Sequence, residues 1–441
     1  MVAGAQQVRR AREAAGLRTH CAAKSTLPQL LQAMIQQALA GSGSLGHHLR
    51  LVMNTRISDS AAIQRRASLN WEFYQELFGR VLKPLARPKD HAESFHAGLR
   101  LLALDGSHFS LRNSAAVMAM TRPRPGNQRA SAGAFMKWST AVLLELGTHA
   151  PLSVACSTLG MERMEMEIDI ARRTLPTLAT LGPSLLLADR LYGCASFMLE
   201  VMEQGQGHAH CLMRVRDNLR AQQLEVLHDG SALMRVRSDT KARAKAASCE
   251  MVVRELRAEV RRTGGKAQTL RLWTTLLDAR KHPAEELLKL YAQRWEQELF
   301  FRELKRHTGA TSMLQADSEQ TAQGAFAALV LAASEVAQRR VEAATEADLP
   351  VLRLSIAKMG QMLGQLTSML QSAGDVLTPA QRAAMSHKWL QVMVREAVIP
   401  PRRARSCQHG LRRPHSPWPV IRKRVFIDPE VLLTLLPATS P

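Results

Sequence analysis

Two segments constrain the fold more than any others: Leu99-Arg-Leu-Leu-Ala-Leu-Asp105-Gly-Ser and Ser184-Leu-Leu-Leu-Ala-Asp189-Arg-Leu-Tyr-Gly193. Each reads as a strand whose apolar run ends on an aspartate and a turn. The runs are continuous rather than alternating, and such strands are covered on both faces. A mixed sheet sandwiched by helices follows, an α/β chain with both aspartates at the sheet's edge, where ligands commonly bind. Thr140 to Leu146 and Leu152 to Ala155 read as further strands, and Glu162 to Leu175 has helical periodicity.

A third segment supplies charge: Tyr291-Ala-Gln-Arg294-Trp-Glu-Gln-Glu298-Leu-Phe-Phe-Arg-Glu-Leu-Lys305. Read as one long helix at about 100° per residue, it gathers Tyr291, Arg294, Glu298 and Lys305 into an arc about 60° wide. Leu288, Trp295 and Leu299 flank that arc on one side, and Leu290, Phe300, Phe301 and Leu304 on the other. The pattern predicts a charged stripe between two buried faces, at the margin of a core. An ordinary surface helix with paired charges fits it less well.

Lys and Arg number 59 against 38 Asp and Glu, a formal charge of +21 that favours a polyanionic partner. No apolar run reaches the ~18 residues of a spanning helix, and the first forty residues or so lack the unbroken apolar stretch of a signal peptide. The expectation is a soluble, cytoplasmic, DNA-associated chain without a membrane partner. Cys21, Cys156, Cys194, Cys211, Cys249 and Cys407 form no Cys-x-x-Cys pair, so neither a disulfide framework nor a structural zinc is expected. His208-Ala-His210-Cys211 would not converge on a metal from within a strand.

Asp105, Asp189 and Glu298 are oxygen donors of the kind that hold a pair of magnesium or manganese ions, and Arg294 and Lys305 would neutralise phosphates on either side. A carboxylate between two cations suits phosphodiester chemistry. The spacing Tyr-x2-Arg-x3-Glu-x6-Lys, met at Tyr291, Arg294, Glu298 and Lys305, resembles the hallmark of the bacterial DDE transposases of the insertion-sequence-four type. Asp105-Gly-Ser is similar to that family's first acidic block and Leu187-Ala-Asp189-Arg-Leu-Tyr to its second. Glu145-Leu-Gly-Thr-His lies where similar members carry the strand between them. Leu191 stands where many members have glycine.

The resemblance, strongest from Leu99 to Gly309, implies an RNase H-like core whose Asp105, Asp189 and Glu298 bind two Mg2+ or Mn2+ ions. Such a core would cut double-stranded DNA at the terminal repeats of its own element and join the freed 3′ ends to target DNA, working as a homodimer in the DNA complex. Tyr291, Arg294 and Lys305 would contact phosphates at the element end. The rival readings are a catalytically inactive end-binding protein and a stand-alone two-metal nuclease. A paired-carboxylate glycosidase is remote, since 4% aromatic content offers few platforms for sugars.

The organisation expected is a helical N-terminal region over 1–95, a catalytic core over 96–309, a helical region over 310–398 and a basic, proline-rich tail over 399–441. In the first region Leu27 onward reads as a helix broken by Gly41 to Gly46. Ser58 or Asp59, and Ser68 or Asn70, would cap two short helices beside Arg56, Arg65 and Arg66, a pair that reads equally as a DNA-binding element or as a helical layer packed on the catalytic domain. The 109 residues from Asp189 to Glu298 exceed a minimal core, and a β-rich insertion of about 210–275 is expected, with Arg235, Arg237, Lys241, Arg243 and Lys245 as basic contacts. Its Trp273 is a candidate to stack on an extruded base, although a core position on an apolar strand is the simpler reading. Leu352, Ile356, Met359, Leu363, Leu366 and Leu370 form a heptad seam expected to pack on the core. The arginines and lysine between Pro400 and Arg424 read as a phosphate-binding arm.

Overall fold

The computed structural model describes residues 4–17, 25–53, 57–120, 135–158, 165–237, 250–260, 268–306, 313–314, 316–373 and 376–400. Arg56, Lys241, Arg243, Lys245, three of the cysteines (Cys21, Cys249 and Cys407) and the basic tail lie outside these residues.

One ten-stranded mixed sheet organises the chain. Its strands are β1 (Phe95–His96), β2 (Leu99–Leu111), β3 (Met136–Glu145), β4 (Ala150–Cys156), β5 (Ser184–Ala188), β6 (Ala209–Arg214), β7 (Gln222–Val226), β8 (Ala232–Arg237), β9 (Glu250–Val260) and β10 (Gln268–Thr274). Their spatial order is β4-β3-β2-β5-β6-β10-β9-β8-β7, with β1 paired to β2 at the margin. β2, β3 and β4 are antiparallel, and β5 and β6 run parallel to β2. Three antiparallel strands followed by two parallel ones in this order make an RNase H-like core.

The apolar runs explain why β2 and β5 lie at its centre. Leu101 to Leu104 and all five residues of β5 are buried, and alternate residues go to opposite faces. Leu102, Leu104, Leu186 and Ala188 pack with Ile170, Leu175, Phe197 and Met198, from the helices Glu167–Arg172 and Ala195–Gln204 and the turn between them. Leu101, Ala103, Leu185 and Leu187 pack instead with Leu287, Leu290 and Tyr291 of the helix Ala284–Tyr291. This second face carries the odd-numbered residues, so Asp105 and Asp189 project towards that helix.

The four strands β7 to β10 prolong the same sheet beyond β6, with β10 antiparallel to β6. The other end is covered by a helical layer built on the 28-residue helix Glu319–Glu346. Phe326 of that helix meets Trp138 of β3 edge-on and lies against Phe109 of β2, which ties the layer to the sheet. Ser58 and Asn70 cap Asp59–Ala67 and Trp71–Val81 by accepting from the amides of Ala61 and Phe73, both at 3.2 Å. Met359, Leu363 and Leu366 of the heptad seam are buried in this layer, on the helix Ile356–Ser372. Among the described residues no helix is long and apolar enough to cross a membrane.

The break expected at Gly41 to Gly46 is present: the helix Leu27–Ala40 ends on Gly41 in the left-handed conformation, and a further helix, Leu45–Met53, begins within the stretch. One expectation needs correction here. Arg66 is no DNA contact: it is 5% exposed, pressed against Tyr74 and against Gly324 of the long helix, where an added Cβ would meet its Cγ at 2.9 Å.

Candidate active site

The register of two parallel strands brings the first two acids together. Leu104 of β2 pairs with Ala188 of β5, so the next residues, Asp105 and Asp189, are lateral neighbours on one face. Only Asp189 ends its strand. Its Oδ1 accepts from the Leu191 amide at 2.7 Å and its carbonyl from the Tyr192 amide at 3.2 Å, which closes the turn. The turn thus closes with Leu191 at this position. The glycine this turn requires is Gly193, where a Cβ would overlap the Arg214 carbonyl.

Asp105 differs from its expected setting, because β2 continues through it to Leu111. Gly106 is thus a mid-strand residue rather than a turn former. Its missing side chain leaves room for Glu167, whose carboxyl would overlap a Cβ placed there. Glu167 accepts from the Tyr192 hydroxyl at 2.9 Å, and it adds a negative charge near Asp105 that sequence reasoning missed. Nothing in the run from Glu165 to Asp169 distinguishes it from an ordinary acidic first turn.

The third acid arrives on a helix that the sequence pattern draws as continuous. The structure instead joins Ala284–Tyr291 to Trp295–Arg306 through a 3-10 turn, Ala292–Arg294. A 3-10 turn advances about 120° per residue, so three residues rotate Tyr291 by roughly 60° relative to Glu298. Tyr291 consequently turns into the core. Its hydroxyl donates to the Ala188 carbonyl at 3.2 Å, anchoring the residue before Asp189, and burial pushes its pKa up to about 12.

Arg294 sits between the acids. Its Nη2 donates to Glu298 Oε1 at 2.7 Å and its Nη1 lies 3.7 Å from Asp105 Oδ2. Lys305 follows two turns after Glu298, with Nζ 5.8 Å from the Phe109 ring centroid; burial first, and then the charge of Lys137, lower its pKa. The Asp105 carboxyl is pushed up to about 7, chiefly by burial and then by Asp189; the Gly106 amide and Arg294 pull the other way and do not prevail. The flanks of this stripe are unequal. Phe300, Phe301 and Leu304 are buried, whereas Trp295 is 53% exposed, so the site opens on the tryptophan side rather than lying between two buried faces.

Next to the acids lies a cleft of about 860 Å³ lined by Asp189, Arg190, Arg214, Asp217, Arg257, Thr269, Arg271, Tyr291 and Arg294. Arg214 reaches it from β6, the last core strand, and Arg257 from β9 because the added strands extend the core sheet, which sequence spacing does not reveal. Trp273 does not reach it as a stacking surface. It is 2% exposed, and its Nε1 donates to Glu255 Oε2 at 2.7 Å. The base-stacking expectation for Trp273 is corrected accordingly, and the exposed aromatic ring beside Arg294 is that of Trp295.

Among the described residues no three Asp, Glu, His or Cys groups converge closely enough to hold a metal ion. The donor set nevertheless fits one. Carboxylate oxygens suit hard divalent cations, and Asp105 and Asp189 stand side by side just past the Leu104–Ala188 pair, two like charges that a cation would relieve. Glu298, the third donor, is engaged by Arg294.

Residues 96–333, more than half of the chain, match the family described as the transposase DDE domain, and the chain belongs to that family. Membership implies dependence on a divalent metal. One similar protein is the transposase InsG for insertion sequence element IS4 of Escherichia coli (strain K12), 24% identical over 254 residues. That match spans 57% of this chain and 53% of InsG, so the chain spans about half the length of this curated relative. Among solved structures, a piggyBac transposase synaptic complex with hairpin DNA aligns over 87% of this chain and 81% of its own, at a TM-score of 0.42 and 8% identity. Neither shared detail nor shared function follows at that level.

Proposed function

We propose that this chain is a DNA transposase, cutting DNA at the ends of its own insertion sequence and transferring the freed strands to a target. The observation that carries this reading is the juxtaposition of Asp105 and Asp189 just past the Leu104–Ala188 pair, faced by Arg294 of the 3-10 turn and Glu298 of the helix that follows. Asp105, Asp189 and Glu298 would hold Mg2+ or Mn2+, two ions in this reading. When bound, such a pair activates a water or sugar hydroxyl and stabilises the leaving oxygen of an in-line displacement.

The remaining parts belong to the chain itself. Arg294 and Lys305 neutralise phosphates near the scissile bond. Tyr291 positions the Asp189 turn through its bond to Ala188 while also lining the cleft. Arg190, Arg214 and Arg257 give the neighbouring cleft the charge to track a phosphate backbone. Trp295, exposed next to Arg294 in the chain, offers a face on which an unstacked base would rest. In this reading 96–309 is the catalytic core with a β-rich insertion over about 210–275. The segment 1–95 and the tail from 399 are accessory regions, and the protein acts in the cytoplasm as a dimer on DNA.

The test is cleavage of a labelled fragment bearing the repeats that flank the coding sequence, with Mg2+ or Mn2+. Metal-dependent cuts at the repeat boundary that disappear in Asp189→Ala and Glu298→Ala, with DNA binding retained, are expected. Binding without any cutting would replace this reading with an inactive end-binding protein, and cutting without strand joining would replace it with a nuclease.

A further inference from the structure

Arg294 stands at a boundary: one side of its guanidinium faces the acids, and its side chain also lines the arginine-rich cleft. It donates to Glu298 and lies 3.7 Å from Asp105, two of the carboxylates that would hold the metal. Because a guanidinium stays protonated at any physiological pH, this contact is a permanent positive charge at the acids. A divalent ion entering there would meet both that charge and a Glu298 oxygen already engaged at 2.7 Å. The same guanidinium has an alternative partner class within reach. The cleft beside it brings Arg190 and Arg214, together with Arg257 and Arg271 that also bond Glu255, against Asp189 and Asp217, a lining in which Arg190 and Arg214 favour a phosphate anion.

Resting on the reading of Asp105, Asp189 and Glu298 as metal-binding carboxylates, we propose that Arg294 couples metal entry to DNA: it occupies the acids in the free protein and releases them when a backbone phosphate in the cleft takes its guanidinium. Metal affinity is then low without DNA and rises with it. By linkage, metal raises DNA affinity by the same factor. The arrangement keeps the free enzyme from assembling a loaded site away from its substrate.

The experiment is titration of the full chain with Mn2+ alone, followed by electron paramagnetic resonance, for wild type, Arg294→Gln and Arg294→Lys. A second measurement is the affinity for a short mixed-sequence DNA duplex with and without Mn2+, by fluorescence anisotropy. Arg294→Gln is expected to bind Mn2+ about tenfold more tightly than wild type in the absence of DNA, within the span of ordinary site–site coupling. Arg294→Lys, which keeps the charge, should stay close to wild type. Mn2+ should strengthen duplex binding by wild type about as much, and by Arg294→Gln hardly at all. Equal or weaker Mn2+ binding by Arg294→Gln would overturn the coupling while leaving the metal site standing. Failure of every variant to bind Mn2+, with or without DNA, would remove the metal reading and the coupling together.

Discussion

The two ends of one sheet bury charge in opposite ways. In the added strands each buried ion is matched. Arg254, fully buried on β9, bonds Asp229, Ser231 Oγ at 2.7 Å and the His282 carbonyl at 2.6 Å. Glu255 accepts from Arg257 Nε and Arg271 Nε, both at 2.6 Å, and from Trp273 Nε1 at 2.7 Å. Burial pushes the Glu255 carboxyl up, yet these donors prevail and hold it below the ordinary range. At β2 and β5, by contrast, Asp105 and Asp189 lie side by side and Asp105 shares a single nearby guanidinium with Glu298. A satisfied network serves the fold, whereas an unbalanced one in a cleft is where a metal or substrate belongs.

The sharpest way to break this comparison is Arg254→Ala. It leaves Asp229 without its buried partner and should cost about 3–5 kcal/mol in a urea melt; a loss below about 1 kcal/mol would show that the network of the added strands is not structural. Trp273→Phe removes one donor to a buried carboxylate and should cost roughly 1.5–3 kcal/mol. Trp295→Phe should leave stability within about 0.5 kcal/mol of wild type. Equal losses from the two tryptophans would dissolve the distinction between core and site.

Smaller effects sharpen the comparison at the acidic end. The Asp105 pKa is raised to about 7 in the folded chain, so the folded state binds more protons than the unfolded state between its ordinary value and that point. Its contribution to stability is therefore fully present below about pH 4 and is lost as pH rises through about 7. Subtracting the pH–stability curve of Asp105→Asn from that of wild type should isolate a decline over this window, and a flat difference would place Asp105 in a balanced setting. The smallest change expected is in salt dependence. Arg294→Ala or Lys305→Ala should each lower the slope of log affinity against log salt by about 1, and an unchanged slope would argue against phosphate contacts.

Much of the acidic end was legible in the residues. Continuous apolar runs announce strands buried on both faces, and the spacing from Tyr291 to Lys305 announces a charged helical stripe. What pattern could not supply was phase and pairing. That Leu104 lies opposite Ala188 is a matter of register, which no single strand encodes. The 3-10 turn at Ala292–Arg294 shifts Tyr291 out of the arc that an ideal helix predicts. Gly106 looks like a turn glycine until the proximity of Glu167 explains it. Trp273 and Arg66 were open to a DNA role because composition does not tell a basic or aromatic residue on the surface from one with buried partners. Tertiary packing decides both.

The most direct measurement on the central claim is the paired stability and cleavage of Asp105→Asn at a pH above about 7. Removing a carboxylate held in unfavourable surroundings should raise stability by at least about 1 kcal/mol while abolishing metal-dependent cleavage. A variant that is less stable than wild type and still cuts DNA would contradict the account, because Asp105 would then be a structural residue and the site would lie elsewhere.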